Sequence, residues 1–265
     1  MTCLLQAEDL TYAYLAGRPV LQEVSLSIES AEILFVLGAN GSGKTTLLDC
    51  LAGLRKPDRG RVLVEGKPIA SLSAGDRAGR VALVPQIHEP VFDYTIQDVV
   101  MMGRSSHLGL FGRPSKDDHR IVLDALSAVG LGGASRRVYT AISGGERQLV
   151  LIARGLAQGA GCLLMDEPAA HLDPRHQQDV FEAVHELASL GRAFVISSHQ
   201  PNHALAQADR VGLLIDGRVS SIGHPRDVLT LDALRATYDV DFMLLFDGER
   251  RAVVPERRQP KGTSR

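Results

Sequence analysis

Tryptophan is absent from this chain and aromatic residues make up only 5% of it. Neither sign of charge dominates: 29 lysines and arginines face 31 aspartates and glutamates. A net charge of −2 leaves no bulk pull toward nucleic acid or anionic lipid, so a nucleic-acid partner is not expected. Three cysteines, Cys3, Cys50 and Cys162, form an odd set without paired spacing, which argues against a disulfide framework and suits a reducing compartment. Long apolar runs are missing as well. Ile33-Leu34-Phe35-Val36-Leu37 and Phe242-Met243-Leu244-Leu245-Phe246 fall far short of the roughly 20 residues a helical span needs. The opening M-T-C-L-L-Q-A-E-D has no basic stretch followed by a long apolar one, so no secretory signal is expected. Any membrane role has to come through a partner.

What is present is an ordinary globular composition, 45% apolar and 23% charged over 265 residues, enough for one large domain or two small ones. Val24, Leu26 and Ile28 alternate with polar residues, the pattern of a half-buried strand. The continuous runs at 33–37, 162–165 and 193–196 read as fully buried parallel strands. Helical patterns separate them. Residues 44–54 follow a glycine loop. Asp173-Pro174 is an N-cap with proline at the first helical position, and Gly191 ends the helix it starts. Strands alternating with helices predict an α/β core. Residues 87–159 carry few strand signals. Ser115 to Asp118 forms a capping-box start, and Ser143 precedes Leu149, Ile152, Ala153 and Leu156 at helical spacing, so this part reads as a helical insertion. The polar, basic tail from Arg257 reads as a frayed terminus.

Gly38-Ala39-Asn40-Gly41-Ser42-Gly43-Lys44-Thr45-Thr46 fits G-x-x-x-x-G-K-[ST] after a buried strand and before a helix. Backbone N–H groups of such a turn surround phosphate oxygens, the lysine reaches the β- and γ-phosphates, and the Thr45 hydroxyl ligates Mg²⁺. The apolar run at 162–165 ends in Asp166-Glu167. A carboxylate at the end of a buried strand needs a cation, and Mg²⁺ beside a triphosphate would supply it for Asp166, leaving Glu167 to face water. Gln86 and His199 each close a strand on the ligand-binding edge of a parallel sheet. His199 and His203 have a metal-like spacing, but Pro201 between them and the lack of a nearby third ligand argue against zinc. Ser143-Gly144-Gly145-Glu146 then poses a question. It is a second anion-binding helix start in a chain that already has one phosphate loop.

Taken in order, the phosphate loop, Gln86, Ser143-Gly144-Gly145-Glu146, Asp166-Glu167, His171-Leu172-Asp173 and His199 resemble the ATP-binding subunit of ABC transporters over roughly residues 4–240. The resemblance implies a P-loop NTPase core with a mainly parallel sheet, an antiparallel β subdomain and an inserted α-helical subdomain. It divides the chain into an ATPase domain at 1–240 (core 1–86 and 160–240, helical subdomain about 87–159) and an extension at 241–265, a short hairpin and then a flexible tail. It implies ATP and Mg²⁺ as cofactors and a head-to-tail homodimer in which each ATP lies between the phosphate loop of one copy and the Ser-Gly-Gly helix of the other. Two glycines without side chains would permit that close approach. Tyr14, or alternatively Tyr12, would stack on adenine. Lys44 and Thr45 would hold phosphate and Mg²⁺, Gln86 would touch Mg²⁺, and Asp166 would hold it through water. Glu167 would be the general base, His199 would contact the γ-phosphate, and Asp173 would couple the two sites. Glu146 stands where glutamine is usual, Ile142 where leucine is usual, and Ala169 where threonine or serine is usual.

The segment from Tyr94 to Arg104 and the one from His107 to Pro114 are similar to importers of iron-siderophore, haem and cobalamin, and to molybdate or tungstate relatives, toward which Ser197-Ser198-His199-Gln200-Pro201-Asn202-His203 leans. The partners so implied are a polytopic permease and, indirectly, a substrate-binding protein, with the chain on the cytoplasmic face of the membrane. The alternative is a soluble ABC ATPase, for instance in cluster assembly. The segment that carries Val91, Phe92 and Tyr94 suggests a contact site, and Phe92 or Tyr94, with the helix beginning near Gln97, would line the groove that grips the permease.

Overall fold

The computed structural model describes residues 3–86, 92–108, 112–248 and 250–256. The strands are β1 Cys3–Leu15, β2 Arg18–Glu29, β3 Ile33–Leu37, β4 Arg59–Val64, β5 Lys67–Pro68, β6 Val81–Val84, β7 Cys162–Asp166, β8 Ala193–Ser198, β9 Arg210–Ile215, β10 Arg218–Gly223, β11 Phe242–Asp247 and β12 Arg250–Pro255. The helices are α1 Lys44–Leu51, α2 Ala74–Ala78, α3 Ile96–Met101, α4 Lys116–Ala128, α5 Gly144–Ala157, α6 Pro174–Ser189, α7 Pro201–Gln207, α8 Pro225–Val228 and α9 Leu231–Tyr238.

Six strands form one sheet in the order β10-β9-β3-β8-β7-β6, parallel throughout except for the β10–β9 edge pair. A four-stranded antiparallel sheet, β2-β1-β4-β5, packs over it, and β11 and β12 make a separate hairpin. The apolar run of β3 is buried at every position because it faces two cores. Ile33, Phe35 and Leu37 join the cluster formed with the helices, whereas Leu34 and Val36 join the cluster under the antiparallel sheet. The side-chain period of two thus divides one strand between two layers.

Between β6 and β7 the described residues form α3, α4 and α5, with one bridge between Thr95 and Val138. All three helices begin with complete capping boxes, at Thr95, Ser115 and Ser143. Asp118 also accepts from Arg104 Nε at 2.9 Å. Together the Ser115 donors and Arg104 hold the Asp118 carboxyl far below the usual carboxylate range. Their apolar faces share the larger core with Phe35, Leu163 and Phe194. Phe92 and Tyr94 precede α3, exposed and edge-on to each other at 5.8 Å. Val91 and the tail from Arg257 lie outside the described residues.

Candidate functional site

The turn between β3 and α1 depends on glycine. Gly41 and Gly43 have positive φ, 82° and 104°, where a side chain would be strained. A Cβ on Gly38 would strike the Ser42 hydroxyl and stand 2.5 Å from the Leu214 carbonyl oxygen. Nothing but backbone caps the start of α1, whose N-cap is Gly43, so its first N–H groups are free to receive an anion. Lys44, 6% exposed, folds back to donate to the carbonyls of Gly38 (2.9 Å) and Ala39 (3.1 Å) and lies 3.5 Å from Glu167 Oε1.

The opposite wall comes from the ends of β7 and β8. Their parallel register sets Asp166 beside Ser197. Ser197, fully buried, donates from Oγ to Asp166 Oδ1 at 2.5 Å and accepts from the Glu167 N–H at 3.0 Å. The other Asp166 oxygen accepts from Thr45 Oγ1 at 2.8 Å. A hydroxyl and a carboxylate meeting at the end of the phosphate loop are the hard oxygen donors that Mg²⁺ takes, so these residues fit that ion. Glu167 has φ of 46°, an uncommon conformation for a residue with a side chain. It directs the carboxylate toward His199, whose Nδ1 donates to Oε2 at 2.8 Å.

Lys44, Thr45, Asp166, Glu167 and His199 line one cleft of about 730 Å³ with Tyr14, Val20, Asn40, Gly41, Gly43, Thr46, Gln86 and His171. Tyr14 is the half-exposed ring of the two tyrosines. Its hydroxyl lies 3.1 Å from Thr46 Oγ1, and Arg55 stacks over one face with its guanidinium carbon 4.7 Å from the ring centre. Tyr12 stands edge-on behind it at 5.2 Å, its hydroxyl accepting from Arg55 at 3.3 Å.

Ser143, Gly144 and Gly145 lie elsewhere. Ser143 lines a second cleft with Glu146, Leu149, Arg175 and His176, and among the described residues the two clefts share none. Ser143 caps α5 by accepting from the Glu146 N–H at 3.2 Å, while Glu146 accepts from the Ser143 N–H at 3.0 Å and pairs with Arg137 through both oxygens. The glutamate in the fifth signature position is therefore the reciprocal half of a capping box. Arg137 and the Ser143 donors hold its carboxyl below the usual range. The two glycines differ. A Cβ on Gly144 would come no closer than 3.3 Å to Leu172, but one on Gly145 would stand 2.5–2.7 Å from three carbons of His176. Gly145 thus makes room for a side chain of its own molecule, a reason the sequence does not display.

Gathered in the first cleft are Lys44, Thr45, Gln86, Asp166, Glu167, His199 and Tyr14, while Ser143 lines the second. Sequence reasoning quotes His171 and Ser197 within longer motifs but gives neither a site role, and it passes over His176. Ser197 stands next to last in the buried strand β8, and only the β7–β8 register shows that it lies level with Asp166.

The ABC transporter family model matches residues 21–170. The cobalamin import ATP-binding protein of Halobacterium salinarum is 42% identical over 85% of this chain, the aligned part spanning 56% of that relative. The hemin import ATP-binding protein of Pseudomonas putida is 39% identical over 93% of the chain and 97% of its own length. Among solved structures, an inward-facing conformation assigned to a metal-chelate type ABC transporter superposes with a TM-score of 0.84 at 32% identity, covering 97% of this chain and 98% of that one. With the family model matching more than half of its residues and such relatives aligned along most of its length, the chain belongs to the ABC transporter family as an ATP-binding subunit.

Proposed function

We propose that the chain is the ATP-hydrolysing motor of an importer for metal chelates of the haem, cobalamin and siderophore kind, attached through a permease to the cytoplasmic face of the membrane. The observation that carries the enzymatic part is the Lys44–Glu167–His199 arrangement, in which a carboxylate at the cleft wall is held by a histidine and faces the phosphate loop. Glu167 accepts a proton from the attacking water, and His199 keeps its carboxylate aimed into the cleft. Lys44 exchanges the carbonyls of Gly38 and Ala39 for β- and γ-phosphoryl oxygens. Tyr14 offers its open face to adenine. The loop from Gly38 to Thr46 cradles the phosphates, and Thr45, Asp166 and Gln86 hold Mg²⁺, which when bound neutralises charge on the phosphoryl group.

Two copies of the chain pack head to tail, and Ser143, Gly144 and Gly145 of one close on the nucleotide of the other. The placement of Ser143 outside its own phosphate cleft supports this reading. The core is 1–86 with 160–240, the helical part about 87–159, and 241–265 an extension. The exposed pair Phe92 and Tyr94 belongs to the face that grips the permease. The similarity to cobalamin and hemin import proteins supports the ligand class.

The test is phosphate release and gel filtration on the full chain and its Glu167→Gln variant. Turnover should fall by about 10²–10⁴ in the variant, with a dimer appearing in millimolar ATP. Near-normal turnover would remove Glu167 as the base, and a monomer in ATP would remove the two-copy site.

A further inference from the structure

Asp173, His176 and Ser143 form a line of contacts from the start of α6 to the start of α5. Asp173 caps α6 by accepting from the His176 backbone N–H at 3.0 Å, and its other oxygen lies 2.7 Å from His176 Nδ1. The far ring nitrogen, Nε2, lies 3.2 Å from Ser143 Oγ. Gly145 admits the ring to this position. The other charged groups around the cleft are Arg175, Asp179, Glu182 and Glu186 from α6 and Glu146 from α5, the last already paired with Arg137. Bonds from the His176 backbone and ring hold the Asp173 carboxyl below its usual range, so it is an ionised acceptor at neutral pH.

A carboxylate only accepts, so Nδ1 carries a proton. In a neutral imidazole Nε2 is then a bare lone pair, and the single hydrogen of the Ser143 hydroxyl turns toward it. In an imidazolium both nitrogens donate. Nε2–H then fills one lone pair of Ser143 Oγ, the Glu146 N–H fills the other, and the hydroxyl hydrogen is left to point away from the protein. We propose that His176 is a proton-linked positioning residue, whose protonation turns the Ser143 hydroxyl from a donor to its own chain into a donor to a phosphoryl oxygen carried by a second copy. The proton comes from solvent, and only hydrogen bonds are exchanged. The connectivity is that of a hydrolase triad, but here the serine oxygen is committed to capping a helix and its hydrogen is what the histidine directs. The inference rests on the reading that Ser143 meets the nucleotide of a second copy.

The experiment compares full-length Glu167→Gln with Glu167→Gln/His176→Gln. ATP-driven dimerisation is followed by sedimentation with Mg-ATP from pH 8 to pH 6, and thermal melts check folding. A glutamine amide can donate to Ser143 at every pH but cannot titrate. Dimerisation of the first variant should tighten as pH falls, by up to about tenfold per pH unit for each His176 that takes up a proton, and the second should lack that component. Dimers whose pH profiles coincide would overturn the inference alone. Failure of the first variant to dimerise at any pH would overturn the two-copy reading and the inference with it. Should the second variant not fold, nitrogen NMR of His176 in the first decides: Nε2 should gain a proton on adding ATP near neutral pH, and an unprotonated Nε2 in the ATP-bound dimer would refute the proposal.

Discussion

Gly145→Ala is the sharpest structural test of the second glycine. The new methyl would sit 2.5 Å from His176 Cδ2, 2.6 Å from Cβ and 2.7 Å from Cγ, all closer than carbon atoms approach. Two of these belong to the ring, which can move at the expense of its bonds to Asp173 and Ser143, but the Cβ is fixed to the backbone of α6. Overpacking of this kind costs about 1–3 kcal/mol. Alanine returns up to about 1 kcal/mol of helix propensity, since Gly145 lies inside α5. The net loss should be about 1–2 kcal/mol, or a fall in Tm of roughly 2–6 °C for a chain of this size. Gly144→Ala is the control. Its methyl meets only Leu172 at 3.3 Å, and its Tm should change by less than half as much. Adding His176→Ala to Gly145→Ala should recover part of the loss and not all, because the Cβ contact remains. Differential scanning calorimetry on the four proteins decides. Equal melting of Gly144→Ala and Gly145→Ala, or no loss in either, would refute the reasoning.

Ser197→Ala removes a buried donor to Asp166 and should destabilise the chain by about 1–3 kcal/mol in denaturant titrations while lowering ATP turnover. Tyr14→Ala should weaken ATP binding by calorimetry by about 1–3 kcal/mol, the worth of a base-stacking ring, and more than Tyr12→Ala does, because only Tyr14 lines the cleft. Burial, with His199 as the second cause, pushes the His203 imidazole below its usual value. The unfolded chain therefore takes up the proton first as pH falls. The contribution is full above about 6.5 and is lost below it, so His203→Phe should lessen the decline in Tm between about pH 7 and 5.

The fold was legible where the signal is local. A five-residue apolar strand, a glycine turn and a helix occupy 33–51 without a break, and their chemistry needs no distant partner. The same holds for the capping box at Ser115, where cap and reciprocal carboxylate are three residues apart, whereas at Ser143 the helix start was legible but the part Glu146 plays in its cap was not. The acid pair was legible because a carboxylate ending a buried strand is costly. Ser197 was not, because its contact with Asp166 spans 31 residues and depends on the register of two parallel strands. His176 was hidden for a similar reason, since on its own helix it is one polar residue among several and its meaning comes from α5. The two glycines look alike in sequence, and only the packing against His176 and Leu172 separates them.

The central claim is that one nucleotide is shared between two copies, gripped by the phosphate loop of one and by Ser143 of the other. A structure of the Glu167→Gln chain with Mg-ATP measures this directly. The account predicts a dimer in which each γ-phosphate contacts Lys44 of one copy and the Ser143 hydroxyl of the other. An ATP enclosed by residues of a single chain, with both Ser143 hydroxyls remote from any phosphate, would contradict it.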